Sequence, residues 1–234
     1  MKRFIKGKCI YNNKFETAEM VKDWIAEGYI NVSFDNEGII LTNELDPNLC
    51  GDSAHWTYWC PIDFKDNIII EWDFRPLSDE GLCMMFFASI GRNGQSIFSE
   101  TLPKRNGVYP QYHSGAINAL HLSYYRRKYE SERKFNTCNL RKSFGFNLVS
   151  MAADPIPAID DIISAYHMKL IKYGEIVQLY IDDLLVLKWE DDGKSYGKIL
   201  EGGKIGFRQM APMKARYSNF EVHEAILEEV KVDE

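Results

Sequence analysis

Residues 104–142 gather the side chains best suited to moving protons and holding an anion. The segment has nine Lys and Arg against two Glu, a local balance of +7 in a chain whose formal charge is −6. Tyr109, Tyr112, His113, His121, Tyr124, Tyr125 and Tyr129 are interleaved with those cations. Guanidinium groups pair with carboxylates, imidazoles and phenols exchange protons, and aromatic rings offer flat apolar faces, a mixture that suits an anionic ligand rich in hydroxyls. Alternation across ALHLSYYRR puts Leu120, Leu122 and Tyr124 on one face of a strand and His121, Ser123, Tyr125 and Arg127 on the other. The first set packs, and the second is expected to form a polar row. Upstream, YPQYH in extended form places Tyr109, Gln111 and His113 on a common side, a second short row beside the first. One face of an antiparallel sheet is often simply solvated. Such faces are filled mainly by Lys and Glu, however, so the concentration of Arg, His and Tyr points to a ligand.

Other constellations are weaker. AHWTYWCP crowds His55, Trp56, Tyr58 and Trp59 together, and flat rings of this kind stack on sugar C–H faces, although a core strand would also use some of them. GRNGQSIF is a glycine-kinked turn that offers Arg92, Asn93 and Gln95 to a groove rim, or is a plain hairpin loop. EWDFRP puts Glu71 and Asp73 on one strand face, but Pro76 stands where the third acid of a sandwich-glycosidase pattern belongs, which favours ordinary strand carboxylates. No CxxC or HExxH spacing supports a metal site, and no GxSxG, P-loop or GxGxxG element is present, so neither metal nor cofactor is expected.

The elements that must position these groups are short strand-like runs divided by Gly, Pro, Asn and Asp turns, the pattern of a two-sheet antiparallel sandwich. One helix is expected over residues 17–26, where Met20, Val21, Trp24 and Ile25 share a side. INVSF and IILTN read as a hairpin around residues 35–38, NIIIEWDF and GLCMMFFASI as central strands, and HMKLIKY, IVQLYI and LLVLKW as a meander closed by KIGFRQM and ARYSNFEV. The expectation is a single domain over residues 1–234, with residues 225–234 as a charged tail. The amino-terminal run lacks the apolar core of a secretion signal and no window is long and apolar enough for a membrane span, so a cytoplasmic location without membrane contact is expected. Five irregularly spaced cysteines fit reduced thiols. Net negative charge argues against general nucleic-acid binding, and no nucleic-acid motif accompanies the basic segment.

HWTYWCP, GLCMMFF, GRNGQSIF, YPQYHSGAINALHLSYYRRKY, TCNLRKSFGF and GKIGFRQMAP together resemble the YesU-like proteins, bacterial domains of unknown function, over residues 15–222. The resemblance implies an all-β fold, a concanavalin A-like jelly-roll sandwich of two antiparallel sheets with minor helices. That superfamily includes family-16-type glycosidases, lectins and jelly-roll polysaccharide lyases, and the YesU-like branch is associated with pectin-type polysaccharide utilisation. Jelly-roll alginate lyases carry a Gln-x-His element and a Tyr/Lys-rich strand; Gln111 and His113 with Tyr125 and Arg127 are similar in kind, at a different spacing. The leading expectation is β-elimination on a uronate-containing oligosaccharide. In it Arg127, Gln111 and Asn118 neutralise the carboxylate, His113 or His121 abstracts the proton, and Tyr125 protonates the leaving oxygen. Trp56, Tyr58, Trp59, Arg92, Tyr109 and Ser123 would contact the sugar, and Asn118, with the parity of Leu120, needs a turn to reach it. The alternatives are a non-catalytic carbohydrate-binding module and hydrolysis through Glu71 and Asp73.

Overall fold

Alternation of apolar side chains decides the architecture. In β6 (Ile68–Pro76) the side chains of Ile68, Ile70, Trp72 and Phe74 enter one buried core, and in β7 (Leu82–Gly91) those of Cys83, Met85 and Phe87 enter the same core from the opposite side. Two such faces remove their apolar area from water only by stacking. The computed structural model, which describes residues 2–229, accordingly has two antiparallel sheets. The first sheet runs β13 (Leu184–Glu190), β12 (Ile176–Ile181), β11 (Tyr166–Tyr173), β6, β15 (Lys214–Glu229), β4 (Gly38–Asn43), β3 (Ile30–Asp35), with β1 (Lys2–Asn13) paired along β15. The second runs β10 (Asn147–Ala153), β9 (Thr137–Ser143), β8 (Ile117–Tyr124), β7, β14 (Gly203–Met210), β5 (Trp56–Phe64), β2 (Ile25–Gly28). This is the expected concanavalin A-like jelly roll, with only short helical turns between strands. No helix among the described residues is long and apolar enough to cross a membrane.

Aromatic rings hold the sheets together. Phe207 of β14 lies 4.6 Å from Tyr217, 5.4 Å from Phe220, 6.0 Å from Phe15 and Trp24, and 6.2 Å from Trp72, measured between ring centres. Edge and stacked contacts of this kind add to the area they bury.

Three expectations change. Residues 17–26 form no α-helix: a 3-10 turn spans Ala18–Val21 and Ile25–Gly28 is a strand. Only Val21 and Trp24 of the proposed apolar stripe are buried, whereas Met20 and Ile25 are exposed, so a helix there has nothing to pack on and the open edge of β5 takes the segment instead. Residues 225–229 are strand rather than tail, because Ala225, Ile226 and Leu227 pair with Lys6, Ile5 and Phe4, and Ala225 packs on Ile69 and Ile171. Residues 230–234 lie outside the described residues. The segments read as a closing pair, β14 and β15, belong to different sheets, as do β6 and β7. Cys60, Cys83 and Cys138 are buried free thiols, while Cys9 and Cys50 are exposed.

Phe207→Ala is expected to cost about 3–5 kcal/mol by leaving a cavity among rings that cannot all collapse into it. A lowered denaturant midpoint at unchanged slope is the readout.

Candidate functional site

The outer face of the second sheet carries two adjacent cross-strand rows. Register places Arg141, His121, Phe86, Gly206 and Trp59 side by side in one, and Asn139, Ser123, Met84, Arg208 and Thr57 in the next. Gly206 is required in the first row, since a Cβ there would lie 2.5 Å from the Trp59 ring. The connection between β7 and β8 folds back over this face. It buries Trp59 and Phe86 beneath Ile97 and Tyr112, with Tyr109 packed alongside. Gly107, at φ 94°, fixes the crossing point, where a Cβ would meet the His55 carbonyl at 2.0 Å.

Within that connection Pro110–His113 is a one-turn helix with Pro at its start, not an extended row. The helical turn brings Tyr109 and His113 together, ring centres 4.7 Å apart, and His113 lies 4.1 Å from Phe146. Tyr109 Oη and His121 Nδ1 are 2.9 Å apart, and His121 Nε2 lies 2.8 Å from Ser143 Oγ. Burial, then Arg141, His113 and Arg208, hold the His121 imidazole well below its usual range, so it is neutral with one N–H and one lone pair. Tyr109 and Ser143 therefore take opposite donor and acceptor roles on it. Burial pushes the Tyr109 phenol up to about 12 against the pull of Arg208, Arg141 and Arg126. Burial, with Arg208 and Arg141 nearby, pushes His113 down to about 4.

Beside Tyr109 is a cavity of about 210 Å³. Leu82, Met84 and Met210 give it an apolar side, Ser123, Asn139, Arg126, Glu132 and Arg141 a polar one, and Phe146 and Tyr129 contribute rings. Arg126 is paired with Glu132 at 2.6 Å. Arg141 makes no ion pair among the described residues; its guanidinium carbon lies 3.9 Å from the Phe146 ring centre and Nη1 donates to the Phe146 carbonyl at 3.0 Å. Arg208 is fully buried beneath Tyr109 and Tyr112, 4.9 and 5.0 Å from their ring centres. Its Nη1 donates to Thr57 Oγ1 at 3.1 Å, while Nε and Nη2 have no partner among the described residues.

Tyr109, His113 and His121 thus meet at one place, and Ser123 lines the adjoining cavity with Tyr109. Gln111 does not join them, because its side-chain oxygen accepts from the Asn106 N–H at 2.9 Å. Tyr125 and Arg127 leave the polar row at the end of β8: Tyr125 has φ 45°, which breaks the alternation and turns its ring onto Phe74 in the main core. Arg127 lies 3.4 Å from Asp79 and 5.0 Å from the Tyr125 ring centre. Trp56 and Tyr58 are core residues. Trp59 faces outward but is sealed under the connection and donates to Glu27 at 2.9 Å, so no member of this trio offers a ring for stacking. Arg92 and Asn118 line a separate cavity. Arg141, Asn139, Phe146 and Arg208 were not singled out as site residues from sequence. An arginine directly after the apolar Ile205 to Phe207 run of KIGFRQM was the available signal for Arg208, and strand pairing to His121 was the one for Arg141.

The family described as Domain of unknown function (DUF1961) matches residues 8–222. The chain belongs to the DUF1961 family. This DUF1961 chain is 52% identical over 221 residues to the uncharacterized protein YesU of Bacillus subtilis (strain 168), covering 94% of this chain and 98% of YesU. A crystal structure of a protein of unknown function with a galectin-like fold from Bacillus subtilis is also 52% identical, with TM-score 0.92 over 96% of this chain and 99% of that one. The carbohydrate binding module CBM66 from Bacillus subtilis is 14% identical and superposes with TM-score 0.52 over 86% of this chain and 95% of the module, a likeness of fold alone.

On the opposite side of this DUF1961 domain, Glu71 and Asp73 project from the first sheet, away from His121. His167 Nδ1 is 2.9 Å from Asp73 and its Nε2 is 3.7 Å from Glu71; Lys6 also pairs with Glu71, and Asn219 donates to Asp73. Hydrogen bonding to Asp73 and then Glu71 raises His167 to about 9. Its protonated form is therefore favoured in the folded state. The resulting stability is complete below the ordinary value of 6.5 and is lost as pH rises through about 9. Thermal unfolding followed from pH 6.5 to 9 should show a declining midpoint, and His167→Gln should flatten that decline.

Proposed function

We propose that this protein binds an acidic saccharide on the outer face of the second sheet, in the cavity between Tyr109 and Arg141. The observation that carries the proposal is Arg141 itself: a guanidinium 3.9 Å over the Phe146 ring at the cavity wall, with no carboxylate of the described residues in an ion pair with it. Arg208 and Arg126 add positive potential from below and beside, which a ligand carboxylate would relieve. Ser123 and Asn139 match sugar hydroxyls, and Leu82, Met84 and Met210 match the apolar face of a ring. The shared fold of a carbohydrate binding module is consistent with this assignment. Titration calorimetry with an oligogalacturonate and its carboxyl-reduced, neutral counterpart is the test. The acidic sugar should bind at least ~10-fold tighter, less so at high salt, and Arg141→Ala should remove that preference. Equal affinity for the neutral sugar would refute the proposal.

One observation favours a second reading, β-elimination at the same cavity: the chain from Tyr109 through His121 to Ser143. Cations that neutralise the substrate carboxylate make the adjacent C–H more acidic. His113, only half-buried and neutral at pH 7, would accept that proton, and the protonated Tyr109 phenol would deliver one to the leaving oxygen. Turnover would generate the ultraviolet absorbance of an unsaturated uronate, and His113→Ala and Tyr109→Phe would each slow it by roughly 10²-fold or more. Tight binding without new absorbance would leave binding as the whole function.

A further inference from the structure

The turn between β9 and β10 carries two phenylalanines, and each holds an arginine. The Arg92 guanidinium carbon lies 4.0 Å from the Phe144 ring centre, matching the 3.9 Å of Arg141 over Phe146. Arg105, Arg126, Arg127 and Arg133 each have a carboxylate within 4.0 Å, at Glu27, Glu132, Asp79 and Glu80. Arg92 and Arg141, the two over the turn's rings, have none among the described residues. The turn is fixed in place: Gly145 N–H donates to the His113 carbonyl at 2.9 Å and the Asn147 amide donates to the Phe144 carbonyl at 3.2 Å. Phe144 and Phe146 stay 42% and 37% exposed even with these guanidinium groups over them.

The two platforms serve different spaces. Phe146 borders the 210 Å³ cavity beside Tyr109. Phe144 borders one of about 440 Å³ that also receives Arg92, Asn118, Asn147, Tyr196 and Lys198. Through Arg92, Asn118 and Lys198 that space continues into a groove of about 940 Å³.

We infer that Arg92 and Phe144 form a second subsite, so that the ligand is an oligosaccharide with carboxylates on more than one residue, lying across the β9–β10 turn. This rests on the acidic-saccharide proposal for the first cavity. A ring beneath the planar guanidinium keeps it oriented while its N–H edges stay available to a carboxylate. The exposed ring faces and the amides of Asn118 and Asn147 complete a surface for a second sugar. Two such platforms on one rigid turn reward a ligand that engages both, because ordering the chain for the first contact has already been accomplished.

Calorimetry with monomeric galacturonate and with tetragalacturonate tests the subsite. Wild-type protein should bind the tetramer at least ~10-fold tighter than the monomer. Arg92→Ala and Phe144→Ala should each abolish most of that advantage while leaving monomer affinity within about twofold, and Arg92→Lys should recover part of it. Arg141→Ala should weaken both ligands. Unfolding midpoints of the Arg92 variants should match wild type, as this side chain is exposed. Unchanged tetramer affinity in Arg92→Ala, with Arg141→Ala still weakening both ligands, would remove the second subsite and leave the first. Failure of wild-type protein to bind either ligand would overturn the acidic-saccharide proposal and the subsite with it.

Discussion

The register of β9, β8, β7, β14 and β5 is the constraint on which the candidate site depends. Because side chains alternate along each strand, a slip of one residue would exchange the polar and apolar faces throughout a strand. Leu120, Leu122 and Leu140 must face the core, so His121, Ser123, Asn139 and Arg141 must face out, and their positions follow from packing on the other side of the sheet. Arg208 is held by the same rule, between Ile205 and Phe207 on the core side and the connection above it. The strand residues of the site need no ordering step of their own.

Much of this was legible in the sequence, for a physical reason. Period-two alternation is a local property, so the faces of Leu120 to Ser123, the hairpin of β3 and β4, and the meander of β11 to β13 could be read directly. The likeness of the motifs to YesU-like proteins corresponds to membership of the family. What was not legible depends on the path of the backbone. Tyr125 departs from the row because its φ becomes positive, and Gln111 departs because Pro110 opens a helical turn. Trp59 has the outward parity of a sugar-stacking residue, yet a connection more than thirty residues further along the chain closes over it. Sequence alternation tells which face a side chain occupies but not what later crosses that face.

The two outer faces of the sandwich handle charge differently. On the first sheet, Lys6, Glu71, His167 and Asp73 neutralise one another within a few ångströms, the behaviour of a structural network. On the second, Arg141 and Arg208 are left with aromatic rings instead of carboxylates. An aromatic ring stabilises a cation without cancelling its charge, so these two guanidinium groups keep their positive field. The carboxylate pair that first suggested hydrolysis thus lies on the side where charges are already satisfied.

The ring cluster around Phe207 has a consequence for how the chain reaches this state. Its members come from both ends of the sequence: Phe15 and Trp24 near the start, Trp72 further on, and Phe207, Tyr217 and Phe220 close to the finish. No early portion of the chain contains enough of the cluster to close it. Contacts of such wide sequence separation slow folding, since the loops between them must be ordered before the rings repay that entropy. During synthesis the sandwich therefore cannot lock until its last strands have emerged, and the unpaired strands formed earlier must be kept from one another until then.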